Sequence, residues 1–147
     1  MSGEKNILVG QSGGPTAAIN ASLAGVVAAA RAEGCHVTGM RHGIQGFLAG
    51  RTVDLDEALP DQESLTLLRQ TPASWLGSCR FKLPDLSDQA FYEDTLARLD
   101  AAGIDAVLYI GGNDSMDTIA KLGAHGRRAG SPIRFIGVPK TIDNDLV

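Results

Sequence analysis

The chain predicts an α/β fold, a doubly wound, mainly parallel sheet with helices on both faces, and three observations carry that prediction. Apolar runs of strand length at 6–10, 36–40, 104–110 and 133–138 alternate with longer segments whose apolar residues recur at helical spacing. The run 104–110, Ile-Asp-Ala-Val-Leu-Tyr-Ile, is almost continuously apolar, as parallel strands buried on both faces are. Polar loops follow the strands at 110 and 138, and in an open α/β sheet the loops at the carboxyl ends of strands build the ligand crevice.

In chain order, the strand 6–10 is followed by the loop Gln11-Ser12-Gly13-Gly14-Pro15 and a helix over 16–32. Ile19, Leu23, Val26, Val27 and Ala30 make the buried stripe of that helix; Pro15 suits its start and Gly34 its end. With the strand 36–40 this forms a βαβ unit, for which a right-handed crossover is the default. Residues 41–52 contain Gly43, Gly46 and Gly50 and read as a loop, and 61–70 read as a short helix behind Pro60. The stretch 71–81 reads as irregular, with Trp75 and Phe81 as packing anchors. Ser87 is expected to cap a helix in which Tyr92, Leu96 and Leu99 share a face and which ends near Gly103.

The composition bounds the function. A length of 147 residues with 44% hydrophobic and 20% charged residues is one domain's worth of an ordinary soluble globular protein. The net charge is −4 and the basic residues are scattered, so no footprint for nucleic acid or an anionic membrane is expected. Cys35 and Cys79 have no metal or disulfide spacing and read as inert thiols. The N-terminus lacks the basic start and apolar core of a signal peptide, and no apolar run reaches membrane-spanning length, so a cytoplasmic location is expected. His36, His42 and His125 have no partner pattern and are given no catalytic role.

The most informative stretch is Ile110-Gly111-Gly112-Asn113-Asp114-Ser115-Met116-Asp117-Thr118, a sharp turn from the apolar run into a helix in which Met116, Ile119, Ala120 and Gly123 fall at helical spacing. Two glycines there let backbone N–H groups approach a ligand, and the helix start adds unpaired donors and the positive end of a dipole. Such a turn suits phosphate. The competing reading is structural, because Gly-Gly is common in turns and Asp114, Ser115 and Asp117 also suit a helix start. A second polar loop, Gly137-Val138-Pro139-Lys140-Thr141-Ile142-Asp143-Asn144-Asp145, leaves the sheet at the same edge; taken alone, Asp-Asn-Asp could be turn chemistry only. Alternation along an extended loop would put Thr141, Asp143 and Asp145 on one side and Ile142 on the other.

Four stretches together carry a family resemblance. Ser12-Gly13-Gly14, Leu76-Gly77-Ser78-Cys79-Arg80-Phe81, Gly111-Gly112-Asn113-Asp114-Ser115 and Pro139-Lys140-Thr141-Ile142-Asp143-Asn144-Asp145 resemble the phosphofructokinase family, in order and in rough spacing, across essentially the whole chain. The ordinary nucleotide fingerprints Gly-x-x-x-x-Gly-Lys-Ser/Thr and Gly-x-Gly-x-x-Gly are absent from the first loop. The family continues beyond the last motif into a second lobe that carries most of the sugar-phosphate contacts. Residues 1–147 are therefore expected to be a donor-binding domain truncated at its C-terminus and inactive alone.

The resemblance implies a division of labour. Gly13, Arg80, Gly112, Asp114 and Ser115 would hold the donor phosphates, Asp143 would be the general base, and Lys140 would neutralise the leaving group. Thr141, Asp143 and Asp145 would meet the sugar phosphate. Family members that use ATP typically have glycine at the positions of Asp114 and Lys140, whereas those that use pyrophosphate have Asp and Lys, so this chain resembles the pyrophosphate type. The family's usual Gly-Gly-Asp is Gly-Gly-Asn here, so the expected magnesium carboxylate is the neutral Asn113; an amide oxygen can still ligate Mg2+, and Asp114 or Asp145 could supply charge.

The expected reaction is transfer of a phosphoryl group from pyrophosphate to the 1-hydroxyl of fructose 6-phosphate, the glycolytic step, by a protein that is a homo-oligomer when full length. ATP as donor is the alternative. A third reading, from another class, is a non-catalytic phosphate-binding regulatory subunit. NAD and lipid kinases share a Gly-Gly-Asp-Gly type of loop but not the stretch from Lys140 to Asp145.

Overall fold

A computed structural model describes residues 5–12, 17–71, 74–77 and 83–139. Five strands form one sheet in the order β3-β2-β1-β4-β5: β1 (Asn6–Gln11), β2 (His36–Met40), β3 (Thr52–Asp54), β4 (Ala106–Gly111) and β5 (Arg134–Pro139). All neighbours are parallel except β3, which runs antiparallel to β2 at the edge. The helices are α1 (Ala17–Ala32), α2 (Gly43–Leu48), α3 (Leu55–Ala58), α4 (Gln62–Gln70), α5 (Gln89–Ala101) and α6 (Asn113–Arg128). The mainly parallel, doubly wound fold expected from the sequence is therefore present. No helix among the described residues is long and apolar enough to cross a membrane.

Side chains of the central strands alternate between two cores, as a period of two requires. Leu8, Val107 and Tyr109 face one core, with Leu96 and Leu99 of α5 and Ile119 and Leu122 of α6. Val9 and Ile110 face the other, with Ile19, Leu23 and Val27 of α1, Leu55 of α3 and Leu65 and Leu68 of α4. The crossover from β1 to β2 thus uses one face and that from β4 to β5 the other. Since β1 and β4 are neighbours, the winding reverses between them, and this switch point is where open sheets leave a crevice at the carboxyl ends of their strands.

Three local expectations are corrected. Residues 41–52 are not a loop: they contain α2 and the start of β3. Ile44 and Phe47 are buried in the first core, so tertiary burial outweighs the weak helix propensity of Gly43 and Gly46. His42 precedes α2 in the left-handed region, at φ 58° and ψ 42°, where it turns the chain into the helix. Second, α5 is capped by Asp88, whose carboxylate accepts from Phe91 N at 3.3 Å, and not by Ser87. Third, the buried face of α6 is Ser115, Thr118, Ile119, Leu122, His125 and Gly126, whereas Ala120 is exposed.

Tyr92, Leu96 and Leu99 share the buried face of α5 as expected, and the Tyr92 hydroxyl donates to Pro84 O at 2.5 Å. The helix 61–70 is present with Asp61 as its N-cap in a reciprocal capping box with Ser64. Backbone and side-chain hydrogen bonds from Ser64 hold the Asp61 carboxyl below its ordinary value. Trp75 packs against the second core and Arg41 lies 5.8 Å from its ring centroid, so it is a packing anchor; Phe81 lies outside the described residues.

Candidate functional site

The turn at the end of β4 occupies the switch point. Gly111 is the last strand residue, Gly112 the N-cap of α6, and Asn113, Asp114 and Ser115 the first turn. The first helical bond runs from Met116 N to Gly112 O at 3.0 Å, so the N–H groups before it have no intrahelical acceptor. Gly112 has no side chain with which to cap them, and the helix dipole adds positive potential at the same place. An anion is the complement of that surface.

Close packing fixes the turn. A Cβ on Gly111 would stand 2.1 Å from Ser115 Oγ and 2.4 Å from Ser12 O, so glycine is required by approach. Ser12 N donates to Ile110 O at 2.8 Å, which joins the loop after β1 to the end of β4. Ser115 is 2% exposed, while Asn113 and Asp114 are exposed. Of the first-turn residues, Asn113 and Asp114 have oxygens free of the core, but they sit where the dipole favours anions. Together with a bound phosphate they would hold a divalent cation, since Mg2+ commonly relies on few protein carboxylates.

A buried polar network adjoins this turn and has no counterpart among the sequence expectations. Gln11, fully buried at the end of β1, donates through Nε2 to Ile19 O at 3.1 Å and to Asn20 Oδ1 at 3.0 Å. Its Oε1 accepts from Leu76 N at 2.8 Å, with Ser74 Oγ at 3.1 Å. Asn20, also fully buried, accepts from Trp75 N at 2.9 Å and donates to Thr71 O at 2.7 Å. Two amides thus hold the short segment 74–77 against the sheet end. The available signal was polarity in apolar company: Asn20 lies on the same face of α1 as Ile19 and Leu23.

Of the residues singled out from the sequence, Gly112, Asn113, Asp114 and Ser115 come together at the α6 N-terminus. Gly13, Arg80, Lys140, Thr141, Asp143 and Asp145 lie outside the described residues, as does Cys79. The described chain leads toward three of these stretches at the same edge. Ser12 precedes Gly13, Gly77 precedes the segment with Arg80, and Pro139, which pairs with Gly111 in the β4–β5 register, precedes Lys140.

At the opposite edge, His36, Asp54 and Asp56 bring potential ligand atoms within 4.8 Å of one another. These groups already satisfy each other. Asp54 Oδ1 caps α3 by accepting from Asp56 N at 2.9 Å; Asp56 contacts His36 Nδ1, accepts from Val37 N at 3.3 Å and lies 3.5 Å from Arg31 Nε. The arrangement is a polar network that ties β2 to α3.

The pattern of the family described as Phosphofructokinase matches residues 6–147, and the chain belongs to that family. It is 46% identical over 142 residues to a pyrophosphate--fructose 6-phosphate 1-phosphotransferase of Xanthomonas campestris, covering 96% of this chain and 34% of that protein. It is 37% identical over 142 residues to an ATP-dependent 6-phosphofructokinase of Vibrio vulnificus, covering 97% of this chain and 40% of that one. The crystal structure of the pyrophosphate-dependent phosphofructokinase from Nitrosospira multiformis is similar, with a TM-score of 0.84 and 38% identity over 95% of this chain and 34% of that chain. The chain spans about a third of the length of the pyrophosphate-dependent relatives.

Proposed function

We propose that this chain is the donor-binding lobe of a longer, pyrophosphate-dependent phosphofructokinase, and that the full-length protein transfers a phosphoryl group to the 1-hydroxyl of fructose 6-phosphate. The observation that carries the reading is the α6 N-terminus, built from the Gly112–Ser115 turn at the switch point between β1 and β4. The donor assignment is supported by Asp114, exposed on the first turn where an inner nucleotide phosphate would meet bulk and like charge, and by the names of the most similar relatives.

In this reading Gly13, Arg80, Gly112 and Ser115 hold the donor phosphates. Asp143 accepts the proton of the 1-hydroxyl as its oxygen bonds to phosphorus and the bridging P–O bond breaks, releasing phosphate. Lys140 neutralises the leaving phosphate, and Thr141 and Asp145 orient the sugar phosphate. Asn113 and Asp114 are the residues that would hold Mg2+, which would supply positive charge against the phosphates. A cytoplasmic homo-oligomer is part of the same reading.

The test is the rate of fructose 1,6-bisphosphate formation by the full-length polypeptide carrying this segment, with magnesium, comparing pyrophosphate and ATP. Turnover with pyrophosphate alone is the expected result. Turnover with ATP instead would favour the second reading, which the 37% identity to the Vibrio enzyme supports. No turnover with either donor would favour a non-catalytic phosphate-binding subunit, a reading supported by the neutral Asn113.

A further inference from the structure

The Gln11–Asn20 network spans three parts of the chain that the topology otherwise brings together only at one edge: the end of β1, the first turns of α1, and the segment 74–77. Every amide atom of the pair has a partner. Gln11 Nε2 is given to Ile19 O and Asn20 Oδ1, and Gln11 Oε1 to Leu76 N; Asn20 Oδ1 also takes Trp75 N, and Asn20 Nδ2 is given to Thr71 O. The segment closes on itself as well: Gly77 N donates to Ser74 O at 3.1 Å, and Leu76 O accepts from His42 N at 2.9 Å. Gly77 adopts φ +77°, and a Cβ there would stand 2.5 Å from His42 Nδ1, so glycine is the residue that fits there.

We propose that Gln11 and Asn20 are positioning residues for the donor phosphate. They set the segment 74–77 against the end of β1, whose next residue, Ser12, is joined to the end of β4 beside the α6 N-terminus by its N–H to Ile110 O. The inference rests on the proposed donor site. Its physical basis is that a fully satisfied buried amide pair has one low-energy arrangement, because displacing either amide leaves several buried donors and acceptors unpaired at once. An apolar core at the same place would hold 74–77 without fixing its register. Gln11 and Asn20 contribute no atom to the reaction itself; their effect passes through the main chain of Trp75 and Leu76.

The experiment uses the full-length polypeptide. Gln11→Met keeps the volume and removes the amide. The expected result is a KM for pyrophosphate raised about tenfold or more, with the KM for fructose 6-phosphate within about twofold of wild type, and faster amide hydrogen exchange at Trp75 and Leu76. If Gln11→Met does not fold, Ser74→Ala takes its place. It removes the partly exposed hydroxyl beside Gln11 Oε1, is expected to raise the same KM by a smaller factor, and Ser74→Thr restores the wild-type value. An unchanged KM for pyrophosphate, or an equal rise in both KM values, in a folded variant would overturn the assignment while leaving the donor site standing. A wild-type polypeptide without turnover on pyrophosphate or ATP would overturn the donor reading, and this assignment with it.

Discussion

Ser115 Oγ occupies the space that a methyl group on Gly111 would need, 2.1 Å from the position of that Cβ. The strand-to-helix turn is thus set by a serine hydroxyl packed beside a bare backbone, with Ser12 O closing the other side at 2.4 Å. Gly111→Ala is expected to destabilise the protein by about 1–3 kcal/mol, the usual cost of overpacking a filled site. The Ser115→Gly change should recover only part of that loss, because the clash with Ser12 O remains. Urea unfolding of the two single variants and the double variant measures the coupling; strictly additive losses would mean the two positions do not share the space.

Donor choice is expected to respond to the pair Asp114 and Lys140. Asp114 is exposed on the first turn of α6, so its removal costs no core packing. Asp114→Gly with Lys140→Gly in the full-length polypeptide should raise kcat/KM for ATP relative to pyrophosphate by tenfold or more, which is about 1.4 kcal/mol of differential transition-state binding. The ratio of the two kcat/KM values is the measurement. An unchanged ratio would assign these residues to an ion pair without a part in selectivity.

The parallel strands, the two central helical stripes and the Gly-Gly turn were legible in the sequence because each leaves a local periodic or compositional mark. Ile19, Leu23 and Val27 repeat at helical spacing, and α1 buries them. What was not legible depends on partners distant in the chain. Residues 43–48 carry two glycines and read as a loop, yet burial of Ile44 and Phe47 makes them helical. Tyr109 contributes to that outcome by accepting from Ile44 N at 3.1 Å across the interior. Asn20 leaves only its polarity on an apolar face as a mark, and what it and Gln11 hold is visible only with Trp75 and Leu76 beside them. Of the candidate site, the Gly-Gly turn into α6 was readable, and Gly112 to Ser115 form the start of that helix.

Tyr92 ties stability to alkaline pH. Its ring is fully buried against Phe91 and His125, with centroids 5.3 and 5.5 Å away, and its hydroxyl donates to Pro84 O. Burial, followed by the charges of Asp117, Asp85 and Asp88, raises the phenol above its ordinary value. The folded value therefore exceeds the unfolded one, so the contribution is complete below pH about 10 and is lost as pH rises through the folded value. Tyr92→Phe should cost about 1 kcal/mol at neutral pH through the lost hydrogen bond. The gap between variant and wild type should close above pH about 10. Unfolding midpoints taken between these conditions decide it, and a gap that widens with pH would contradict the sign.

Asn113 stands where the family's usual pattern has a carboxylate, on the exposed first turn of α6 beside Asp114. In the proposed site a neutral amide there would leave the helix dipole free to favour phosphate but would contribute less than a carboxylate to holding a divalent cation. Asn113→Asp in the full-length polypeptide is therefore expected to lower the magnesium concentration needed for half-maximal rate, by about threefold to tenfold, an amount within the reach of one added charge at an effective dielectric near the surface. Asp143→Ala, made in parallel, should lower kcat by about 10² to 10⁴ at any magnesium concentration, as loss of a general base does. The two variants separate metal recruitment from proton transfer. Magnesium titrations at saturating pyrophosphate provide the comparison, and an Asn113→Asp protein with an unchanged magnesium midpoint would remove position 113 from the metal's surroundings.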